Sequence, residues 1–332
     1  MNPIKHLLLN ASFVISILSS LSIANANPLT VAYFQEWPTP NQFAQVKKIY
    51  DKELGVKVKW IAFDAGTAMS AAMASGDINI SFSQGIPPFV VASSAGQDIQ
   101  IVDIAVSYSE NDNCVVRSSL EIDSENAKEL EGKQVAVPIG TAAHYGFLKQ
   151  MQHFGVNTAN MKIVDMAPAD GAAAFAAGNL DMVCGWGGAL RRMKEHGNVL
   201  MSGAEKEALG IQVFDATTVS TAWAQENAEL LEKFLKVSAQ MNANFANKDS
   251  ANMLPVIASA AGMKLNETQD TLKGFSFPDI NQQLSKKWLG GGTQKFLKEV
   301  ADFFVAQGII PKARKNYNDA VDASYLKAAA KL

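Results

Sequence analysis

A unit of helix, glycine, strand and glycine occurs twice in this chain, and that repeat constrains the fold more than any other feature. In the first copy Phe63-Asp64-Ala65-Gly66 leads into an Ala/Met-rich helical stretch, followed by Gly76-Asp77, a strand and Gly85. In the second, Ala169-Asp170-Gly171 leads into Ala172-Ala173-Ala174-Phe175, then Gly178-Asn179, the strand Met182 to Trp186, and Gly187. The interval from Gly76 to Gly85 equals that from Gly178 to Gly187. Two copies are too few for a solenoid. They imply two lobes of one α/β architecture facing a shared cleft, because open α/β sheets bind ligands at the carboxyl ends of their strands.

The first copy also carries chemistry. Ile78, Ile80 and Phe82 alternate with polar residues, the period of a strand with one buried face. Ser83-Gln84-Gly85 supplies turn residues, and Pro87-Pro88 suits the first turn of a helix. A strand entering a helix this way points backbone N–H groups into open space, and with the helix dipole these favour a small anion. An ordinary strand–turn–helix connection is the competing reading.

The amino terminus predicts export. Lys5 gives a positive start, Leu7 to Ile23 is largely apolar, and Ala24-Asn25-Ala26 fits signal-peptidase cleavage, so residues 1–26 are expected to be a signal peptide. No later apolar run is long enough to span a membrane, and no cysteine near the cleavage site offers a lipid anchor. An exported, soluble protein is expected, and a monomer. The 332 residues exceed one core, making two domains the default. A formal net charge of −3 points to neither nucleic acid nor a membrane surface.

In chain order, strands are predicted at Thr30–Phe34, Val56–Trp60, Ile78–Phe82, Ile99–Ser107 and Cys114–Arg117, with a helix from Phe43 to Leu54 stopped by Gly55. The polar interval from Tyr108 to Asn113 is where the chain is expected to cross into the second lobe. There the pattern restarts with strand Gln134–Ile139, turn Gly140-Thr141, a helix from Ala142, strand Met161–Met166, a helix, and strand Met182–Trp186. Ile211–Ala216 and Val219–Ala222 read as the returning strand, with hinge motion expected near Asn113 and residues 216–220. The fold class is therefore α/β: two lobes, each a doubly wound mixed sheet flanked by helices, joined by crossing strands. Lobe one is assigned residues 27–113 and 219–332, lobe two 114–218. Gly290-Gly291-Gly292 lacks the ending of a phosphate loop and reads as a flexible connector. Cys114 and Cys184 are the only cysteines. Two buried free thiols are expected, with a bridge open to them if their strands are neighbours.

Val31-Ala32-Tyr33, Ala74-Ser75-Gly76-Asp77-Ile78, Val135-Ala136-Val137-Pro138, His144-Tyr145, Trp186 and Asp215, in that order and spacing, resemble the periplasmic solute-binding proteins of ABC importers in the taurine, aliphatic sulfonate and nitrate group. The resemblance runs through most of the chain after residue 26. It implies a periplasmic binding protein-like fold that closes over a small oxyanion and delivers it to a permease in the inner membrane.

Taurine is a zwitterion, so its sulfonate and its ammonium need separate partners. For the sulfonate, Ser83, Gln84, the N–H groups near Gly85 and Ile86, Thr141, the N–H groups of Ala142 and Ala143, and His144 are the candidates. Thr141 competes as a plain N-cap and His144 as a packed side chain. For the ammonium, Asp215 and Asp112 are the candidates. Asp215 is flanked by Val213, Phe214 and Ala216, and the resemblance places an amine-binding aspartate there. Thr217-Thr218 depart from the group's pattern and leave pocket size open. Trp186 and Trp37 offer aromatic faces to a cation, with core packing as the alternative for Trp186, and Gln35 and Glu36 reach from the same loop as Trp37.

No cofactor or metal is expected. His144, His153 and His196 lack zinc-ligand spacing, and no Gly-x-Ser-x-Gly elbow occurs. An enzyme with a Cys114–His144–Asp trio is the remote alternative. Alkanesulfonate, nitrate or a thiamine-pyrimidine precursor are the alternative ligands.

Overall fold

The computed structural model describes residues 28–211 and 213–332; the expected signal peptide, residues 1–26, lies outside them. Eleven strands among the described residues form two sheets. They are β1 (Leu29–Tyr33), β2 (Val58–Ala62), β3 (Ile80–Gly85), β4 (Ile99–Tyr108), β5 (Asp112–Arg117), β6 (Gln134–Val137), β7 (Lys162–Asp165), β8 (Met182–Trp186), β9 (Gly197–Asn198), β10 (Val213–Ser220) and β11 (Phe275–Ser276). The first sheet has the order β11-β4-β10-β3-β1-β2 and the second β7-β6-β8-β5-β9.

The duplicated unit is visible in the pairing. In the first sheet β2, β1 and β3 run parallel and β10 enters antiparallel beside β3. In the second β7, β6 and β8 run parallel and β5 enters antiparallel beside β8. Both sheets are thus mixed, with a helix before and after the third parallel strand of each. Those helices are α3 (Gly66–Ser75) and α4 (Ile86–Ser94) around β3, and α6 (Pro168–Ala176) and α7 (Gly187–Lys194) around β8; α5 (Ala142–Phe154) follows β6. The predicted first helix is two short ones, α1 (Asn41–Val46) and α2 (Ile49–Leu54), because Lys48 between them takes φ 56°. Gly55 is the left-handed stop at their end.

β3 departs from its predicted form. It is buried at every position from Ile80 to Gly85 rather than on one face, because helices cover both faces: Ser81 meets Met69 of α3 and Phe82 packs against Phe234 of the helix Ala228–Asn244. Residues 83–85, predicted as a turn, continue the strand to the first residue of α4. Ser83 adopts φ 60°, where the register of β3 against β10 slips between Ala216 and Thr218. A second slip against β4 falls between Asp215 and Ala216. Bulges of this kind re-aim side chains, and here they bring Ser83 and Asp215 together.

The chain passes between the sheets at residues 109–111 and again between β9 and β10. Residues 213–218, assigned above to lobe two, are hydrogen-bonded into the first sheet, and Asp112 and Asn113, assigned to lobe one, begin β5 of the second. Residues 216–220 all pair with β4, and Ala216, Thr218 and Val219 also with β3, which puts them inside the first sheet rather than at a crossing. Gly290-Gly291-Gly292 is also no flexible connector. Its amides bond to Ser285, Trp288 and Lys286 carbonyls, and a Cβ at Gly292 would sit 1.9 Å from the Lys287 carbonyl oxygen. This tight turn opens the helix Gly292–Ala306.

Cys114 and Cys184 form a disulfide, which corrects the expectation of free thiols. They stand directly opposite each other in the β5–β8 pair, so the register alone brings them within bonding reach. The trio Cys114–His144–Asp loses its nucleophile with that bond.

Candidate functional site

The two sheets face each other across a narrow cavity, about 290 Å³ when the space open to solvent is counted with it. Phe34, Trp37, Gly66, Gly85, Pro88, Tyr108 and Asp215 line it from the first half, and Asp112, Thr141, Ala142 and Trp186 from the second. The parallel strands β1, β3, β6 and β8 point their carboxyl ends at the cavity, and the antiparallel β5 and β10 meet it with their first residues.

One end of the cavity is acidic. Asp215 is buried at 2 % exposure and accepts hydrogen bonds from the Tyr108 hydroxyl at 2.7 Å and the Ser83 hydroxyl at 2.7 Å. Ser83 in turn accepts from Trp37 Nε1 at 3.0 Å. All these donors are neutral. Burial pushes the Asp215 carboxyl up to about 7, and nearby Asp112 adds to the effect against the pull of the Ser83 and Tyr108 hydrogen bonds. Asp112, the first residue of β5, is equally buried and is likewise pushed up to about 7 by desolvation, with Lys206 pulling the other way. Its Oδ2 has no hydrogen-bond partner among the described residues. No lysine or arginine lines the cavity.

The other walls are helix starts. α3 begins at Gly66, α4 at Ile86 and α5 at Ala142, each next to or at a lining residue. The first-turn N–H groups of a helix have no intrahelical partner, and only the start of α5 has a side-chain cap, Thr141 Oγ1 accepting from the His144 amide at 3.4 Å. α4 offers less than its sequence promised, because Pro87 and Pro88 carry no N–H and leave Ile86 as its first-turn donor. α7 also begins at the cavity edge, but its first two amides are occupied: Gly187 donates to the Asn111 carbonyl at 3.0 Å and Gly188 to the Glu36 carbonyl at 3.2 Å.

Aromatic residues close the remainder. Phe34 and Trp186 pack at 5.7 Å between centroids, and Trp37 packs edge-on to Tyr108 at 4.8 Å. Trp37 also meets the backbone of the second half at Gly187. That glycine has φ 56°, and a Cβ there would lie 2.3 Å from the Glu36 carbonyl oxygen, so only glycine admits this approach.

Of the eleven residues singled out in the sequence, Trp37, Gly85, Asp112, Thr141, Ala142, Trp186 and Asp215 meet at the cavity. Ser83 stands directly behind, bonded to Asp215. Three do not line it. Gln84 is turned into lobe one, donating to the Gly66 carbonyl at 2.8 Å and Ser70 Oγ at 2.7 Å. His144 is a buried packing residue whose Nδ1 accepts from the Gly140 amide at 3.1 Å, and burial lowers its imidazole to about 4. Gln35 lies in an outer recess shared with Glu36 and Arg192, its amide donating to the Ala260 carbonyl at 2.7 Å. Thr217 and Thr218 are buried away from the cavity and do not set its size. Phe34, Gly66, Pro88 and Tyr108 were missed. Phe34 and Tyr108 end strands at the cleft, and Gly66 opens the helix of the repeat, which is the signal that marks them.

A family model described as "NMT1/THI5 like" matches residues 40–249. The chain belongs to that family. It is similar to the taurine-binding periplasmic protein of Escherichia coli (strain K12), 26% identical over 309 residues, covering 92% of this chain and 94% of that one. It is 24% identical over 232 residues to a putative aliphatic sulfonates-binding protein of the same strain, covering 63% of this chain and 72% of that one. Among solved structures, the alkanesulfonate-binding protein SsuA from Xanthomonas axonopodis pv. citri, bound to MOPS, superposes with a TM-score of 0.71 at 21% identity, covering 87% of this chain and 96% of that one. That likeness establishes the two-lobed periplasmic binding protein fold. No helix among the described residues is long and apolar enough to cross a membrane.

Proposed function

We propose that this protein is the extracytoplasmic solute-binding component of an ABC importer, and that it captures taurine or a similar short aminosulfonate between its two halves. The observation that carries the reading is Asp215: a buried carboxylate at the cavity wall, held by the neutral hydroxyls of Ser83 and Tyr108 and by no protein cation. A buried carboxylate of this kind calls for a cation, and the ligand's ammonium supplies it, with Asp112 as a second acceptor. The sulfonate then turns to the amides of Gly66, Ile86, Ala142 and Ala143, where helix starts favour an anion without a full counter-charge. Trp37, Trp186 and Phe34 cover the methylenes and add cation–π attraction.

The names of the relatives support the sulfonate class, and their periplasmic setting supports export and a membrane permease as partner. Nitrate or a simple alkanesulfonate would face two aspartates with no cation to offer them, and a thiamine-pyrimidine precursor would need stacking on both faces. The relatives named above are binding proteins by name, which favours a binder over an enzyme.

Substitution Asp215→Asn tests the assignment. Taurine affinity falls by at least about a hundredfold, the scale of a buried charge-assisted pair, while ethanesulfonate affinity changes little or rises. Equal loss for both ligands, at unchanged melting temperature, contradicts it.

A further inference from the structure

Lys206 is the feature of the molecule that the binding reading leaves unused. It lies on the short helix Gly203–Ala208, at 1 % exposure, and its Nζ donates to the backbone carbonyl of Asp112. Among the described residues it forms no ion pair. A buried ammonium held by a neutral carbonyl is costly, and a methionine would fill similar space without that cost. The charge itself must therefore be compensated at longer range. The groups that face it are Asp112, Glu110 and Glu207, which favour its charged form, and Lys194, which opposes it. Glu110 is already engaged, its Oε1 accepting the Gly203 amide at 2.6 Å.

The segment carrying Lys206 is clamped to the crossing between the sheets. Ser202 and Glu205 form a capping box, Glu110 holds Gly203, and Asn113 Nδ2 donates to the Met201 carbonyl at 2.8 Å. Lys206 thus sits rigidly at the start of β5, outside the cavity lining, while Asp112 and Asp215 both line the cavity. Two carboxylates in one desolvated space repel each other.

We propose that Lys206 is a positioning residue for the ligand's cation: its ammonium fixes the start of β5 and is the positive charge that favours an ionised Asp112 in the cavity wall it shares with Asp215. Resting on the aminosulfonate reading, this makes the ammonium meet two carboxylates rather than one, and sets the pH range in which it does so. The groups facing Asp112 are Lys206, Asp215 and Tyr108, and those facing Asp215 are Asp112, Tyr108, Ser83 and Trp37.

The test compares wild type with Lys206→Met and Lys206→Arg. Carbon-detected NMR follows the Asp112 carboxyl in ligand-free protein, and calorimetry follows taurine from pH 5.5 to 8.5. In Lys206→Met the Asp112 midpoint rises by about one pH unit or more, and taurine affinity at pH 7 falls about tenfold with the loss shrinking toward pH 8.5, one unit being a tenfold change. Lys206→Arg, which keeps the charge, restores the wild-type midpoint and controls for folding. An Asp112 midpoint that does not move in Lys206→Met, or a taurine loss that is the same at every pH, overturns the proposal and leaves Lys206 a structural residue. Failure of the wild type to bind taurine at all would sink the aminosulfonate reading instead, while the ligand-free titration would still decide the role of Lys206.

Discussion

Glu36 and Arg192 form a two-pronged ion pair between the halves of the molecule, Nη1 to Oε1 at 2.7 Å and Nη2 to Oε2 at 2.9 Å. Glu36 sits in the loop after β1 and Arg192 on α7, so the pair joins the first sheet's cleft loop to the second sheet's cleft helix. The Glu36 carbonyl also holds the Gly188 amide, and Arg191 reaches Glu267 at 3.2 Å on the same side. The halves are therefore joined by direct contacts beside the cleft.

Glu36→Gln should loosen that closure. Both side chains are about one-third exposed, so screening limits the pair to about 1 kcal/mol. Taurine affinity is expected to fall two- to fivefold, with the loss shrinking as salt rises. Small-angle scattering of the ligand-free variant should give a larger radius of gyration than wild type. Unchanged affinity and radius would mean that closure does not depend on the pair.

The disulfide predicts a stability effect separate from binding. Cys114 and Cys184 close a loop of 70 residues across neighbouring strands. Reduction, or Cys114→Ser with Cys184→Ser, should cost about 2–4 kcal/mol and lower the melting temperature by several degrees. Denatured protein without reductant should show no free thiol. Thiol titration of both cysteines in that state would contradict the bond.

Asp103 makes the stability depend on pH. It is buried in β4, and burial pushes its carboxyl up to about 7 although Gln283 and Thr217 bond to it. The folded state therefore holds a proton that the unfolded chain releases near pH 4. The contribution is full below that value and is lost as pH rises toward 7, with a slope of at most about 1.4 kcal/mol per pH unit. Asp103→Asn should flatten the fall in stability between pH 5 and 7 by close to one proton, measured from denaturant unfolding at each pH. A slope identical to wild type would show that Asp103 does not titrate there.

Much of the fold is legible because its strands end in glycine or polar turns: β8 is read from Met182 to Trp186 as found, and the twin order of helices and strands follows from the repeat. The limits of that reading have local causes. β3 runs on to Gly85 because Ser83 takes a positive φ, which residue type does not announce. Cys114 and Cys184 are joined because β5 and β8 pair in one register, which emerges only when a strand from one crossing meets a strand from another. At the site, Asp215 was legible as an aspartate in an apolar strand, whereas Gln84 was drawn inward by the Gly66 carbonyl and Ser70 hydroxyl and His144 by the Gly140 amide. Lys206 was invisible, since Gly203-Ala204-Glu205-Lys206-Glu207 reads as a solvated helix.

The most direct test is calorimetric titration of the wild-type protein, near pH 7.5, with taurine and with ethanesulfonate, two ligands that differ by one amine. An acidic cavity end with no lysine or arginine in its lining predicts that taurine binds at least about a hundredfold more tightly, a difference of about 2.7 kcal/mol. Ethanesulfonate binding as tightly as taurine, or more tightly, would contradict the assignment of Asp215 and Asp112 to a ligand cation.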